Sequence, residues 1–281
     1  TNDPNMLEAD QAEFSNILEQ INRIATSTQY GHNYLLDGSR AGNGVTTGDN
    51  LEFIDAGAKA NSSGPGGYAV EIQQAATRSI HSGSIGLNQA IIDSGEQITI
   101  SEGGKTVNFR TEKGKSVEQT LNDLGSALNA SGLDLELIRA YPPDTDGNLS
   151  QAITFRHKEF GSEHTFQVAS NTAGLVSNVS NMSVAVENGQ DVKGIINGEE
   201  TTGKGQELTG AKGSGTTEGI RVRYTGESVP LGGNAGTLTF SQNSLSFQIG
   251  GNANQYSEIS LNSIKTSDLG RGQVNGSGFQ S

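Results

Sequence analysis

Two histidines and two glutamates near the middle of the chain have side chains that often bind metal ions. They are His157, Glu159, Glu163 and His164, and Gly161-Ser162 between them predicts a turn. A hairpin would bring both histidines together only in one particular register, and a structural metal site needs three or four ligands with fixed geometry. We therefore expect no metal site here, and favour the alternative of two exposed histidines at strand ends.

Three other segments look like ligand-binding loops but lack positions that such loops require. Asp144–Asn148 has its glycine at the fourth place and Phe155 at the twelfth, whereas an EF-hand calcium loop needs glycine at the sixth and glutamate at the twelfth. Gly203-Lys204-Gly205 and Gly213-Ser214-Gly215 are not followed by the helix of a phosphate-binding loop. The chain also lacks the G-x-S-x-G motif of a nucleophilic serine. We expect turns between strands, no cofactor and no enzymatic activity.

The composition does not suit a compact enzyme with one large core. Glycine accounts for 39 of the 281 residues, about twice the share of roughly 7% in average domains. The chain has no cysteine or tryptophan, and 32% of its residues are hydrophobic. The net charge of −13 repels phosphate backbones, which disfavours nucleic-acid binding. The sequence has no apolar run of membrane-spanning length and no cleavable signal peptide. Because it does not begin with methionine, we interpret it as an excised fragment.

One long amphipathic helix is predicted at the beginning of the chain. Asp3-Pro4 supplies an N-cap residue followed by a proline in the first turn. Apolar residues then follow with heptad-like spacing, at Leu7, Phe14, Leu18, Ile21 and Ala25, with Ile17 and Ile24 beside them. A stripe this narrow cannot form a core by itself, so we expect partner helices in other molecules or in sequence outside this fragment.

The middle of the chain predicts a helix packed on an antiparallel sheet. Gln97–Ser101 and Thr106–Arg110 alternate around a glycine turn, as in a β-hairpin. Ser116 and Gln119 have the spacing of a capping box, which marks the start of a helix. Strands are predicted to follow at Leu133–Tyr141, Gln151–Lys158 and His164–Ala169, giving the order ββαβββ. Strands are also predicted outside this unit at Leu51–Ile54, Tyr68–Gln73, Val184–Glu187, Lys193–Ile196, Ile220–Tyr224, Thr237–Ser241, Ser244–Ile249 and Glu258–Leu261.

Both ends and the middle of the chain resemble bacterial flagellins. Leu18–Ile24 and Thr28–Gly31 resemble the flagellin pattern L-x-x-I-x-R-[IV]-x-x-x-T-x-[FY]-[NG]-G, although the family usually has aspartate where this chain has Asn22. Near the other end, Phe247–Gly250, Asn252-Ala253 and Ser267–Gly270 look like the flagellin stretch QIG-x-N-A … S-x-L-G. Asp191–Gly210 resembles a repeat found in the outer domains of flagellins and in the filament cap protein.

The resemblance implies an α+β, mostly β, elongated multi-domain chain with one long N-terminal helix, β-hairpins and a helix-on-antiparallel-sheet insert. Residues 1–45 and 236–281 would be the remnant of the inner rod domain. Residues 46–90 and 181–235 would form an outer β-rich domain with the flagellin-type repeat, and residues 91–180 an inserted α+β domain. The long terminal helices of the family would be missing from this fragment.

The function implied is that of a structural subunit of the extracellular flagellar filament, exported through the flagellar channel and self-assembling for motility. Its partners would be other flagellin subunits, through the inner rod domain, and the flagellin-sensing Toll-like receptor of hosts. The candidate assembly or receptor face comprises Leu7, Glu13, Phe14, Leu18, Ile21 and Arg23. The alternatives are a filament cap or other flagellar axial protein, and a secreted adhesin or carbohydrate-binding module. We expect no nucleic-acid or membrane partner.

Overall fold

The structure is a computed structural model that describes residues 4–138, 152–249, 256–267 and 269. In these ranges the helices are α1 (Pro4–Ser27), α2 (Gln89–Asp93) and α3 (Val117–Ala130). The strands of the first half are β1 (Gln29–Tyr30), β2 (Asn33–Tyr34), β3 (Asn43–Thr47), β4 (Leu51–Ala56), β5 (Tyr68–Gln74), β6 (Arg78–Gly86), β7 (Gln97–Glu102), β8 (Lys105–Arg110) and β9 (Leu135–Ile138). Those of the second half are β10 (Ala152–Phe160), β11 (Gln167–Ser170), β12 (Val184–Ala185), β13 (Lys193–Ile196), β14 (Glu199–Lys204), β15 (Glu207–Gly210), β16 (Ile220–Tyr224), β17 (Asn234–Ser241), β18 (Leu245–Gln248) and β19 (Tyr256–Ile259).

The predicted fold class is confirmed: the chain is mostly β, with one long N-terminal helix and several antiparallel sheets. None of the helices in the described ranges is long and apolar enough to cross a membrane. The calcium-like segment Asp144–Asn148 and part of the predicted strand Leu133–Tyr141 lie outside the described residues. So do Asp3, which was predicted to cap α1, and Asn252-Ala253 of the resemblance.

The largest sheet has eight strands in the order β3-β17-β5-β13-β14-β15-β16-β4. Its two end strands, β3 and β4, lie side by side. The Thr46 hydroxyl of β3 donates a hydrogen bond of 2.6 Å to the Leu51 carbonyl of β4. The sheet therefore curls towards a barrel, which leaves little free strand edge for other chains to pair with. Its core is apolar and includes the fully buried side chains Val70, Ile72, Val222, Leu238 and Phe240. We call this unit the barrel.

The Asp191–Gly210 repeat forms three consecutive strands of the barrel, β13, β14 and β15. Asn197 and Gly198 both have positive φ, 54° and 75°, as the two-residue hairpin turn between β13 and β14 requires. At Gly203 an added Cβ would lie 1.7 Å from the Val192 carbonyl oxygen. The glycines of the repeat are thus explained by a turn and by close backbone approach.

The insert has its own core, between two small sheets and α3. The sheets have the orders β12-β11-β7-β8 and β6-β10-β9. Buried side chains of both sheets and of α3 form one cluster around Phe155, Phe166, Leu124 and Leu128. The predicted order ββαβββ is observed as β7, β8, α3, β9, β10 and β11, but distributed over two sheets rather than one.

The capping box that begins α3 is present as predicted. The Ser116 hydroxyl accepts a hydrogen bond of 3.2 Å from the Gln119 backbone N–H, and the Gln119 side-chain oxygen accepts one of 3.0 Å from the Ser116 N–H. Strand β6 and the short α2 were not predicted. The β6 sequence is rich in serine and glycine, and its strand conformation depends on pairing with β10.

The chain enters and leaves the barrel at two neighbouring residues, and it enters and leaves the insert in the same way. Asn43 and Ser241 face each other in β3 and β17, where the chain enters and leaves the barrel. Thr77 and Gln190 exchange backbone hydrogen bonds of 2.9 and 3.3 Å where the chain enters and leaves the insert. The predicted division into domains stays a prediction. Strand β17, most of which falls in the predicted inner rod domain, pairs with strands of the barrel. Strand β6, which falls in the predicted outer domain, pairs with β10 of the insert.

Candidate assembly surface

Helix α1 carries every residue of the predicted interaction face. Hydroxyl groups on its surface turn back onto the helix backbone: Thr26 Oγ1 donates to the Asn22 carbonyl at 2.9 Å and Thr28 Oγ1 to the Ile24 carbonyl at 2.7 Å. The helix ends at Ser27, and the β1–β2 hairpin follows at once. Gly31 permits this turn, since its φ is +62°.

The first half of α1 packs against nothing in the described part of the chain. Every side chain from Met6 to Ile17 is exposed. Leu7 and Phe14 have 57% and 56% of their surface exposed, and Ile17 has 47%. A covering partner would bury the apolar surface of this half of the helix.

The second half of α1 packs against the C-terminal segment. Ala25 is fully buried, and Leu18 and Ile21 are half-buried. The Asn22 side chain pairs with Thr266: its amide donates to the Thr266 hydroxyl at 2.8 Å, and its oxygen accepts from the Thr266 N–H at 2.8 Å. Part of the predicted apolar stripe is therefore covered within the chain itself, and the role of the candidate face stays a prediction.

The apolar surface that stays open follows a heptad seam. We define the outer seam as Leu7, Asp10, Phe14, Ile17, Ile21 and Ile24, which are spaced alternately by three and four residues. All of these residues except Ile21 are exposed, and Asp10 places one carboxylate in the apolar row. Glu13 beside the seam and Arg23 on another side of the helix are also exposed. The structure thus brings Leu7 and Phe14 into one open surface with Ile17 and Ile24, which we had placed only beside the predicted stripe.

The hairpins next to α1 add aromatic and aliphatic surface. Tyr30 of β1 and Phe247 of β18 contact edge to face, with ring centroids 6.1 Å apart. Tyr30 remains 67% exposed, Tyr34 46% and Ile249 73%. Exposed apolar side chains of this kind, grouped on one part of a molecule, are typical of an interaction surface. The signal could have been found in the sequence only by knowing that these hairpins lie beside the helix.

The two histidines of the possible metal site do come together, with stacked rings 4.7 Å apart. His157 is buried, which corrects the expectation of two exposed histidines. Its Nδ1 accepts a hydrogen bond of 2.9 Å from the Glu159 N–H, and its Nε2 bonds the Glu102 carboxylate. In the described ranges, no group of three or more histidine, aspartate or glutamate side chains is arranged to hold a metal ion. His157 therefore has its partners within the fold.

No family model matches this chain, and no curated protein matches it. Its fold is similar to a solved structure of the flagellar cap protein FliD D1-D2-D3 domains from Escherichia coli, with a TM-score of 0.48 and 14% identity over 80% of this chain. The chain spans 60% of the length of that structure. It is also similar to the FliD D2-D3 domains from Escherichia coli (TM-score 0.45, 15% identity, 72% of this chain and 99% of that chain). A third similar structure is FliD (HAP2) from Pseudomonas aeruginosa PAO1 (TM-score 0.39, 11% identity, 72% of this chain and 84% of that chain). All three of these solved structures are of flagellar cap proteins.

Proposed function

We propose that this chain is a structural subunit of the bacterial flagellum, and that it belongs to the filament as a flagellin. The observation that carries the proposal is the exposed first half of α1, where Leu7, Phe14 and Ile17 are open and available to a covering partner. The flagellin-like patterns around Leu18–Ile24 and Phe247–Gly250 support the same assignment.

The outer seam would act by apolar burial against helices of neighbouring subunits or of the parent chain. Fully burying one large apolar side chain contributes roughly 1.5–3 kcal/mol, so a few such residues supply a substantial contact. Contacts between different faces of identical subunits do not close and generate open helical filaments. We expect this chain, which has one long helix in its described ranges, to stay monomeric by itself. Leu18 and Ile21 would contribute less than Leu7 and Phe14, because the chain already half-covers them.

The barrel and the insert would face the outside of the filament. The two end strands of the barrel lie side by side, and the net charge of −13 keeps neighbouring surfaces apart in solution. This arrangement suits an extracellular, antigenic outer layer rather than a catalytic one. We propose no enzymatic role and no cofactor.

The second candidate is the filament cap or another flagellar axial protein. The observation that favours it is the Asp191–Gly210 segment, because the repeat that it resembles also occurs in the cap protein. An adhesin or carbohydrate-binding module would use an aromatic-lined cleft. One cleft of the described part of the chain has no aromatic side chain among its lining residues, which are residues 55–58, Gly219, Glu258, Ile259, Ser260 and Asn262.

Recognition by the flagellin-sensing Toll-like receptor is a further proposal for the full-length parent. The resemblance to flagellins aligns Glu13 with a contacting glutamate of that family's receptor face, and the Glu13 side chain is exposed on α1. A Glu13→Ala parent that activated the receptor as strongly as the unchanged parent would contradict this role.

The experiment that tests the proposed function is immunogold labelling of the bacterium that makes this protein, with antibodies raised against the chain. Label along the whole filament is expected for a flagellin. Label only at the distal tip would instead assign the chain to the cap. Label on other parts of the cell surface, with bare filaments, would overturn both assignments.

A further inference from the structure

The connection between the barrel and the part of the chain that bears α1 runs through two short segments. We define the helix module as residues 4–40, 245–249 and 256–267, joined internally by bonds such as Leu261 N–H to the Arg40 carbonyl (3.1 Å) and Ile264 N–H to the Leu36 carbonyl (3.1 Å). The chain passes from this module into the barrel through Ala41-Gly42 and returns through Gln242–Ser244.

The incoming segment, Ala41-Gly42, is buried and consists of the two smallest residue types. Gly42 is buried, and an added Cβ there would lie 2.6 Å from the Phe240 ring. The segment therefore lies against the barrel with no room for a side chain at this position. A side chain at this position would wedge the incoming segment away from the barrel.

The outgoing segment is held by Gln242 through its side chain and its backbone N–H. The Gln242 side-chain amide donates to the Gly57 carbonyl at 2.8 Å and to the Ala60 carbonyl at 3.0 Å. Its backbone N–H donates to the Ser62 hydroxyl at 2.9 Å, and its side-chain oxygen accepts from the Asn243 N–H at 3.1 Å. Gln242 thereby fastens the exit strand to the loop that follows β4.

An open cleft lies beside this fastening point. Its volume is about 510 Å³. One wall is the barrel rim, including Gly57 and Gly219, and the other is the helix module at Glu258, Ile259 and Asn262. The cleft is space into which the helix module can tilt without displacing a packed core.

We propose that Ala41-Gly42 and Gln242–Ser244 form a hinge, and that the Gln242 amide is the latch that fixes its angle. Hinges are a few residues between rigid bodies that absorb the rotation, and such motions fall in the microsecond to millisecond range. With the latch closed, the barrel and the helix module hold one relative orientation. With the amide removed, the helix module samples the cleft. This inference does not depend on the proposed flagellar function.

The test is single-molecule energy transfer between the two bodies. The chain has no cysteine, so Gln11→Cys on α1 and Thr202→Cys on β14 provide the only two labelling sites, and both positions are exposed. The labelled chain without further substitution is expected to show one narrow distribution of distances between the labels. The labelled Gln242→Ala chain is expected to show a broader distribution with a shifted mean. The matched control is Gln74→Ala, which removes another side-chain amide bond, to the Asp191 carbonyl at 2.9 Å, away from the hinge.

The proposal would be overturned if a folded Gln242→Ala protein had the same distance distribution as the unsubstituted chain. It would also be overturned if Gln74→Ala broadened the distribution as much as Gln242→Ala does. Should Gln242→Ala lose the cooperative melting of the unsubstituted chain, Gln242→Met decides, since it keeps the length of the side chain and removes the amide that donates to the Gly57 and Ala60 carbonyls. Broadening in Gln242→Met supports the latch, and an unchanged distribution contradicts it.

Discussion

Arg221 and Asp55 face each other across two antiparallel strands of the barrel and form a two-pronged ion pair. Their backbones are direct partners of β16 and β4. Arg221 Nε lies 2.7 Å from Asp55 Oδ1, and Nη2 lies 2.5 Å from Oδ2. Glu207 of β15 extends the row, with an oxygen 2.7 Å from Nη2 of Arg223. These cross-strand pairs join three strands near the point where the sheet curls on itself.

Replacing Arg221 by lysine is expected to destabilise the barrel. Lysine keeps the charge but cannot form the parallel pair of hydrogen bonds to Asp55. The free energy of unfolding should fall by about 0.5–1 kcal/mol, because the ion pair is partly exposed. Urea denaturation of the two proteins measures the difference. Lys59→Ala is the control, since the Lys59–Glu218 pair leaves the lysine 70% exposed. An equal effect from both substitutions would show that the bidentate geometry contributes nothing.

Gly203→Ala is expected to prevent normal packing of β14 in the barrel. The new Cβ would lie 1.7 Å from the Val192 carbonyl oxygen, so the backbone would have to move. We expect a loss of at least about 3 kcal/mol, in the range of severe substitutions. Thermal denaturation followed by circular dichroism checks it. Gly66→Ala is the matched control because nothing lies within 4 Å of its Cβ position; unchanged melting of both proteins would contradict the packing argument.

The chain is expected to lose stability in acid as two hydrogen-bonded carboxylates take up protons. Burial raises the pKa of Glu199, but the bonds it accepts from Thr217 and Thr216 outweigh this and leave its pKa below the ordinary 4.5. Burial likewise raises the pKa of Asp191, and bonds from Ser162 and Gly205 bring it below 3.8. A lowered folded-state pKa stabilises the fold above the ordinary value, and this stabilisation disappears as the pH falls through the lowered pKa.

Glu199→Gln tests this expectation. The variant should be less stable than the parent at pH 7, and its free energy of unfolding should fall less steeply below about pH 4.5. Urea titrations at a series of pH values measure both properties. Glu200→Gln, at the next and exposed position of β14, is the control. Parallel curves for the parent and Glu199→Gln would rule out a contribution from this carboxylate.

Asp10→Leu is expected to promote self-association of the chain. Asp10 is the one charged residue of the outer seam, and a polar group at a core position of a helical seam disfavours unspecific pairing. Sedimentation velocity should show a monomeric parent and a dimer or larger species for the variant. Glu19→Leu makes the same change on another side of α1. Association of both variants to the same extent would mean that the seam has no special role.

Local features of the fold could be predicted from the sequence wherever neighbouring residues determine them. The Ser116–Gln119 capping box, the β7–β8 hairpin and the helical spacing of α1 all depend on residues a few positions apart. The pairing of β3 with β17 was not foreseen, because it joins Asn43 to Ser241 across most of the chain. The polar strand β14 carries no clear alternation of apolar residues, so the sequence does not predict it, and a turn is expected at Gly203-Lys204-Gly205, where the strand in fact continues to Lys204.

The candidate surface was predicted in part. Leu7 and Phe14 were identified from heptad spacing, and they are exposed. Spacing alone could not reveal that Leu18 is half-buried and Ala25 buried, nor that Asn22 between them bonds Thr266, a residue far away in sequence. The buried environment of His157 likewise comes from Glu102 on a distant strand.

The paired entry and exit points make this chain a nested set of exchangeable cassettes. Because Asn43 and Ser241 are direct strand partners, everything between them can be replaced by any unit whose own ends lie side by side. The same holds one level further out at Thr77 and Gln190. Evolution, or a designer, could therefore graft a new outer body onto the helix module without altering the apolar surface that the module presents.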